Sequence, residues 1–154
     1  MMSVPTYEDI PKDINKLIGD HLRLYLSDPA AAHMWDASAV GIDGAVTTLL
    51  LTTTGRKSGE PRSVPLLYVG HGDGYLIIGS KGGNVEHPVW FRNLQANPEC
   101  EIRVGAPPVK ARARILEGEE RAAAWKEITD RHPVYAKYQA RAPREIPVVM
   151  LERL

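Results

Sequence analysis

A single cysteine, Cys100, excludes an internal disulfide and any zinc site built on paired thiolates. The five histidines (His21, His33, His71, His87 and His132) are scattered, with no His-Glu-x-x-His spacing, so no metal site is expected. Neither sign of charge is in excess: 19 Lys and Arg balance 19 Asp and Glu, which argues against a nucleic-acid partner. No apolar run is long enough to span a membrane, and the N-terminus lacks the basic region and apolar core of a signal peptide. A nucleophile elbow is missing too. Gly70, Gly72 and Gly74 lack the spacing and following helix of a dinucleotide fingerprint, and Arg56 stands where a Walker loop needs glycine before Lys57. With 44% hydrophobic residues over 154 positions, the composition fits one globular domain spanning 1–154 in a reducing, cytoplasmic setting.

Apolar periodicity predicts an amphipathic helix over residues 10–26. Asp28-Pro29-Ala30 reads as a cap opening a second, short helix that carries Met34 and Trp35. Together they make residues 1–40 a helical segment packed on a barrel formed by the rest of the chain. Residues 41–44 form a turn, and then the pattern becomes β. Strands are expected at 46–54 and 62–69, with Pro65 favouring an edge, and at 75–79 beyond a glycine-rich turn at 70–74. Residues 87–94 open a helix with Pro88 in its first turn, and further strands come at 100–104 and 109–116. Residues 119–131 are helical, a short helix restarts after His132 with Pro133 in its first turn, and 146–151 is a closing strand. About seven short strands with helices at both ends suggest an antiparallel barrel decorated by helices, an α+β chain that is mainly β.

Three constellations could carry chemistry. Arg56, Lys57, Arg62 and Lys81 come from turns or strand starts and could surround one polyanion; Gly55 and Gly59 let the backbone turn tightly between them. Trp90, just inside the helix after a glycine-rich loop, could wall a planar ring or simply fill the core. Tyr135 and Tyr138 lie three apart on a helix and share a face, either bracketing a substrate and supplying a proton or only packing. An anion grip and an aromatic wall without a strong nucleophile suit a protein whose reactive atom belongs to a bound cofactor.

Four motifs, in order, resemble the deazaflavin-dependent nitroreductase family, the actinobacterial enzymes that use coenzyme F(420). They are Thr-Thr-Thr-Gly-Arg-Lys-Ser-Gly-Glu-Pro-Arg at 52–62, Gly-Ser-Lys-Gly-Gly at 79–83, His-Pro-x-Trp-Phe-x-Asn-Leu-x-Ala-Asn-Pro at 87–98, and Tyr-x-x-Tyr at 135–138. The resemblance covers roughly residues 45–154 and implies a split β-barrel of the FMN-binding, flavin-reductase type with flanking helices. It implies hydride transfer from reduced F(420) to quinones, activated enones or nitro compounds. Arg56, Lys57, Ser58 and Arg62 would hold the phosphate and glutamyl tail, assisted by Lys81. Gly79 and Ser80 would lie along the deazaflavin edge, Ser80 orienting substrate, with Trp90 and Asn93 flanking the cofactor from the helix. Tyr135 and Tyr138 would line the substrate side, Tyr135 or solvent delivering the proton. His132 and Leu67 depart from the aromatic residues found in some members and put nitro-prodrug activity in doubt. An FMN-binding split-barrel reductase and a non-catalytic cofactor or ligand carrier remain the alternatives. The resemblance also implies a monomer or homodimer and weak peripheral contact with the inner membrane face through residues 10–26.

Overall fold

The computed structural model describes residues 14–38, 42 and 44–154. Helices α1 (Ile14–Ser27) and α2 (Pro29–Ala32) precede strands β1 (Met34–Asp36), β2 (Ala45–Thr54), β3 (Pro61–Leu67), β4 (Val69–His71) and β5 (Gly74–Ile78). Helix α3 (Val89–Ala96), strands β6 (Glu99–Arg103) and β7 (Val109–Ile115), helices α4 (Gly118–Arg131) and α5 (Val134–Arg141), and strand β8 (Val148–Arg153) complete the chain. Every pairing is antiparallel, in the order β1–β2–β6–β7–β8–β5–β4, with β3 on the other side of β2. Only Tyr68 separates β3 from β4, so one stretch of chain flanks β2 at its start and β5 at its end. The sheet therefore curls back on itself.

Alternation along the strands sorts side chains between the barrel interior and the helices outside it. Leu49, Leu51, Ile77, Val149 and Leu151 point inward, where Trp90, Phe91 and Leu94 of α3 complete the core. Their neighbours Leu76, Ile78, Val148 and Met150 point outward and are covered by Ile128 of α4 and by Val134, Tyr135 and Tyr138 of α5. Leu50, between two inward leucines, faces Tyr25 and Ala32 of α1 and α2. Burying each such Leu or Ile contributes roughly 1.5–3 kcal/mol, so both faces of the sheet stabilise the fold.

Several sequence expectations are corrected. Met34 and Trp35 are strand, not helix: α2 ends at Ala32, and Met34–Asp36 pairs with Ala45–Thr47 along the open edge of β2. The backbone bonds of that edge outweigh a helix too short to be stable alone. The expected strand at 62–69 is two strands, because the chain changes partner at Tyr68. The turn expected over 70–74 shrinks to Gly72 and Asp73 between paired His71 and Gly74. Pro88 and Pro133 sit at the N-caps rather than in the first turns of their helices. The closing strand starts at Val148. Residues 10–13 of the predicted first helix, and 41 and 43 of the predicted turn, lie outside the described residues. Pro65 does sit on an edge: among the described residues β3 pairs only with β2.

Candidate functional site

The β2–β3 turn is built as a rigid basic tip. Gly55 N–H donates to the Glu60 carbonyl and Gly59 N–H to the Gly55 carbonyl, each at 2.8 Å. The Ser58 hydroxyl accepts from Glu60 N–H at 3.1 Å, so it stiffens the turn. A Cβ on Gly55 would lie 2.7 Å from that hydroxyl, which reserves the position for glycine. Arg56, Lys57 and Arg62 are exposed, and among the described residues none of the three forms an ion pair. Three exposed cations on a fixed turn suit a polyanion.

The turn is tied to α3 from below. Arg56 N–H donates to Asn93 Oδ1 at 3.2 Å, and Asn93 Nδ2 donates to Thr53 Oγ1 at 3.0 Å. The family motif implied that Trp90 and Asn93 flank the cofactor. Both are buried, at 8% and 1% exposure: Trp90 stands edge-on to Phe91 in the barrel core, and the Asn93 amide holds the hairpin. The importance of Thr53 carried no signal in the sequence beyond its place in a threonine run.

The second part of the site is the loop between β5 and α3. Gly79 packs so tightly on Pro147 that a Cβ would approach its Cγ to 2.6 Å. Ser80 is right-handed, and Lys81, Gly82 and Gly83 come next with φ of 45°, 64° and 82°. A right-handed to left-handed step of this kind turns successive backbone N–H groups toward one side, a concavity that suits an anion. Lys81 stands exposed over it, 3.9 Å from Glu86. Arg144, which no sequence motif marks, donates to the Gly79 and Ser80 carbonyls at 3.1 and 3.0 Å and to the Asn84 carbonyl at 3.0 Å.

Tyr135 and Tyr138 form the third part, their rings edge-on with centroids 5.9 Å apart. Tyr138 packs against the loop: a Cβ on Gly83 would meet its carbonyl oxygen at 2.9 Å. Tyr135 shares the wall of a cavity of about 90 Å³ with Ile18, His21, Trp35 and Leu67. Burial, and then the neighbouring Tyr138, push its phenol far above the usual tyrosine range, so it keeps its proton at neutral pH. Burial likewise lowers His132 and His21, keeping both rings neutral. A much broader groove of about 920 Å³ lies by the β4–β5 turn. There Arg114 is paired with Glu120 and Glu152, and Arg153 is bonded to the Tyr75 hydroxyl, so it lacks the unpaired cations a polyanion needs. Cys100 lies partly buried in β6 with its thiol pushed up to about 11, which makes it inert at neutral pH. Among the described residues no group of acidic, histidine or cysteine side chains could hold a metal, and no helix is long and apolar enough to cross a membrane.

Residues 31–153 match the family described as F(420)H(2)-dependent quinone reductase. The chain belongs to this family. A Mycobacterium tuberculosis protein named F(420)H(2)-dependent quinone reductase is 42% identical over 115 residues, covering 73% of this chain and 77% of that protein. A solved F(420)-H2 dependent reductase, FDR-A, is 43% identical with a TM-score of 0.62, covering 68% of this chain and 93% of that one. The haem storage protein HutZ of Vibrio cholerae shares the fold alone, at 17% identity and a TM-score of 0.52 over 70% of this chain and 81% of its own. The curled sheet of this reductase is therefore a split barrel with flanking helices. Family membership makes it an F(420)H2-dependent enzyme whose cofactor is the deazaflavin F(420) rather than FMN. The residues present fit that group, because its polyanionic tail calls for exposed cations such as those on the β2–β3 turn, which form no ion pair among the described residues.

Proposed function

We propose that this reductase delivers a hydride to a quinone, and that activated enones and nitroaromatics are taken at the same place. The observation that carries the reading is the set Arg56, Lys57 and Arg62, exposed and without ion pairs among the described residues, on a turn that Asn93 holds to α3. These cations, with Ser58 and Lys81, hold the phosphate and glutamyl tail. Bound there in reduced form, the deazaflavin supplies a two-electron hydride rather than single electrons. Gly79 and Ser80 lie along its edge, and Ser80 orients the acceptor. The acceptor's apolar body meets the cavity wall of Trp35, Leu67 and Ile18. Tyr135, neutral and in the same wall, donates a hydrogen bond to the oxygen that gains negative charge, solvent supplying that oxygen's proton, while Tyr138 keeps the loop and α5 in register. Preorganised donors of this kind are worth about 3 kcal/mol in the transition state. Leu24 and Leu26 on α1 are exposed, which supports weak peripheral membrane contact through this helix.

Fluorescence titration with oxidised F(420), with FMN as comparator and at two salt concentrations, tests the binding half. Salt-sensitive binding that Lys57→Ala weakens is the expected result, and preference for FMN would overturn it. Oxidation of the reduced coenzyme with menadione, an enone and a nitroaromatic then ranks the acceptors. Failure of menadione to act as acceptor would remove the quinone.

A further inference from the structure

Lys81 is the only non-glycine with positive φ among the described residues, at 45°. Such a conformation is unfavourable for a residue with a side chain and persists only where the surroundings over-determine it. Arg141 Nη1 reaches the Gly82 carbonyl at 3.4 Å and Tyr138 packs on Gly83, but the densest set of bonds to the loop comes from one guanidinium. Arg144 donates through Nη1 to the Gly79 carbonyl at 3.1 Å, through Nη2 to the Ser80 carbonyl at 3.0 Å and through Nε to the Asn84 carbonyl at 3.0 Å. Nη1 also donates to His87 Nδ1 at 3.1 Å, which places the imidazole proton on Nε2. The three carbonyls bracket the left-handed run from both sides. A planar fork meets them all at once; a lysine ammonium, a single point on a flexible stem, does not.

Arg144 is itself held. Gln139 Nε2 donates to the Arg144 carbonyl at 2.7 Å, and Ile146 N–H donates to Gln139 Oε1 at 2.8 Å. Arg144 thus links three elements: its backbone ties α5, through Gln139, to the lead into β8, and its guanidinium holds the loop that opens α3.

We propose that Arg144 is a positioning residue for cofactor binding: it fixes the backbone of Ser80 and Lys81, and so the Lys81 ammonium, without touching the cofactor. This rests on the assignment of the loop to F(420). It predicts coupling between Arg144 and Lys81, although no bond joins their side chains.

The test uses Arg144→Lys, Lys81→Ala and the double variant of the full chain. Amide hydrogen exchange of residues 79–87, with residues 55–60 as internal reference, is read beside the F(420) dissociation constant. Arg144→Lys should speed exchange of the 79–87 amides at least 10-fold, leave 55–60 unchanged, and weaken F(420) about 10-fold. Lys81→Ala should weaken binding in the parent chain and add little in the Arg144→Lys background. Unchanged exchange in 79–87, or equal acceleration throughout the molecule, would overturn the positioning role. Strictly additive losses in the double variant would overturn the coupling. If Lys81→Ala leaves F(420) affinity intact in the parent chain, the assignment of the loop to the cofactor fails, while the exchange measurement still decides what Arg144 does.

Discussion

The backbone N–H of Arg56 donates to the Asn93 side-chain oxygen at 3.2 Å, across thirty-seven residues of chain. The same amide gives its nitrogen to Thr53 Oγ1, so one buried asparagine holds both the last inward residue of β2 and the first cation of the turn. The position of the basic tip is thereby set by α3.

Asn93→Leu should destabilise the protein by about 1–3 kcal/mol in urea unfolding, because it strands a buried hydroxyl and an N–H. Adding Thr53→Val should recover part of that loss, since both members of the buried pair are then apolar. F(420) affinity should stay reduced in the double variant, because Arg56 N–H remains unheld. Full recovery of affinity would mean the clamp has no part in binding.

Arg56→Ala and Lys57→Ala remove exposed cations that stabilise nothing in the described structure. Each should leave the melting temperature unchanged and weaken F(420) binding by roughly 1 kcal/mol, about five-fold. The difference from the parent chain should shrink as salt rises. A lowered melting temperature with unchanged affinity would count against an anion grip.

Two left-handed glycines separate backbone strain from crowding. Gly59, with φ of 73°, has nothing within 4 Å of an added Cβ, whereas at Gly83, with φ of 82°, the Cβ would lie 2.9 Å from the Tyr138 carbonyl oxygen. Gly59→Ala should therefore cost only the conformational penalty, about 1 kcal/mol. Gly83→Ala should cost more, roughly 2–4 kcal/mol, and should also weaken F(420) by shifting α5 off the loop. Equal losses in thermal unfolding would show that the loop yields freely to α5.

Burial pushes Cys100 up to about 11 and raises Tyr135 further. Both folded-state values lie above the unfolded ones, so their contribution to stability is complete below the unfolded value. For Cys100 it is lost between about pH 8.5 and 11, and for Tyr135 the loss begins above about pH 10. Cys100→Ala should flatten the first part of the decline and Tyr135→Phe the second, as read by urea unfolding across alkaline pH. The native thiol should also react with a disulfide reagent at pH 8 far more slowly than the denatured one. Rapid native labelling would contradict the buried thiol.

Much of this protein can be read along its chain. Unbroken apolar runs at Leu49–Leu51 and at Val148–Leu151 mark strands buried on both faces, and Pro65 marks an edge. Gly55 and Gly59 bracket the basic turn because the backbone there tolerates little else. The helix expected at Met34 and Trp35 fails because its competitor, the open edge of β2, lies further along the chain and leaves no trace in local periodicity. Trp90 and Asn93 carry a family motif, yet a motif does not say which way a side chain points. Burial turns Trp90 into the core and Asn93 toward Thr53.

The residue pattern alone determined the β-rich class, the place of α1, β2 and the elements from β5 onward, the cationic turn and the likeness to the deazaflavin enzymes, because each rests on local periodicity, composition or motif. Only the tertiary structure decided that Arg144 grips the loop at 79–84, that Tyr135 faces a cavity shared with α1, and that Asn93 works from beneath the hairpin. Those relations join residues at least 37 positions apart, and they arise from the closure of the barrel between β3 and β5. Side chains meet there because backbone pairing has brought their strands together, which no stretch of the chain encodes by itself.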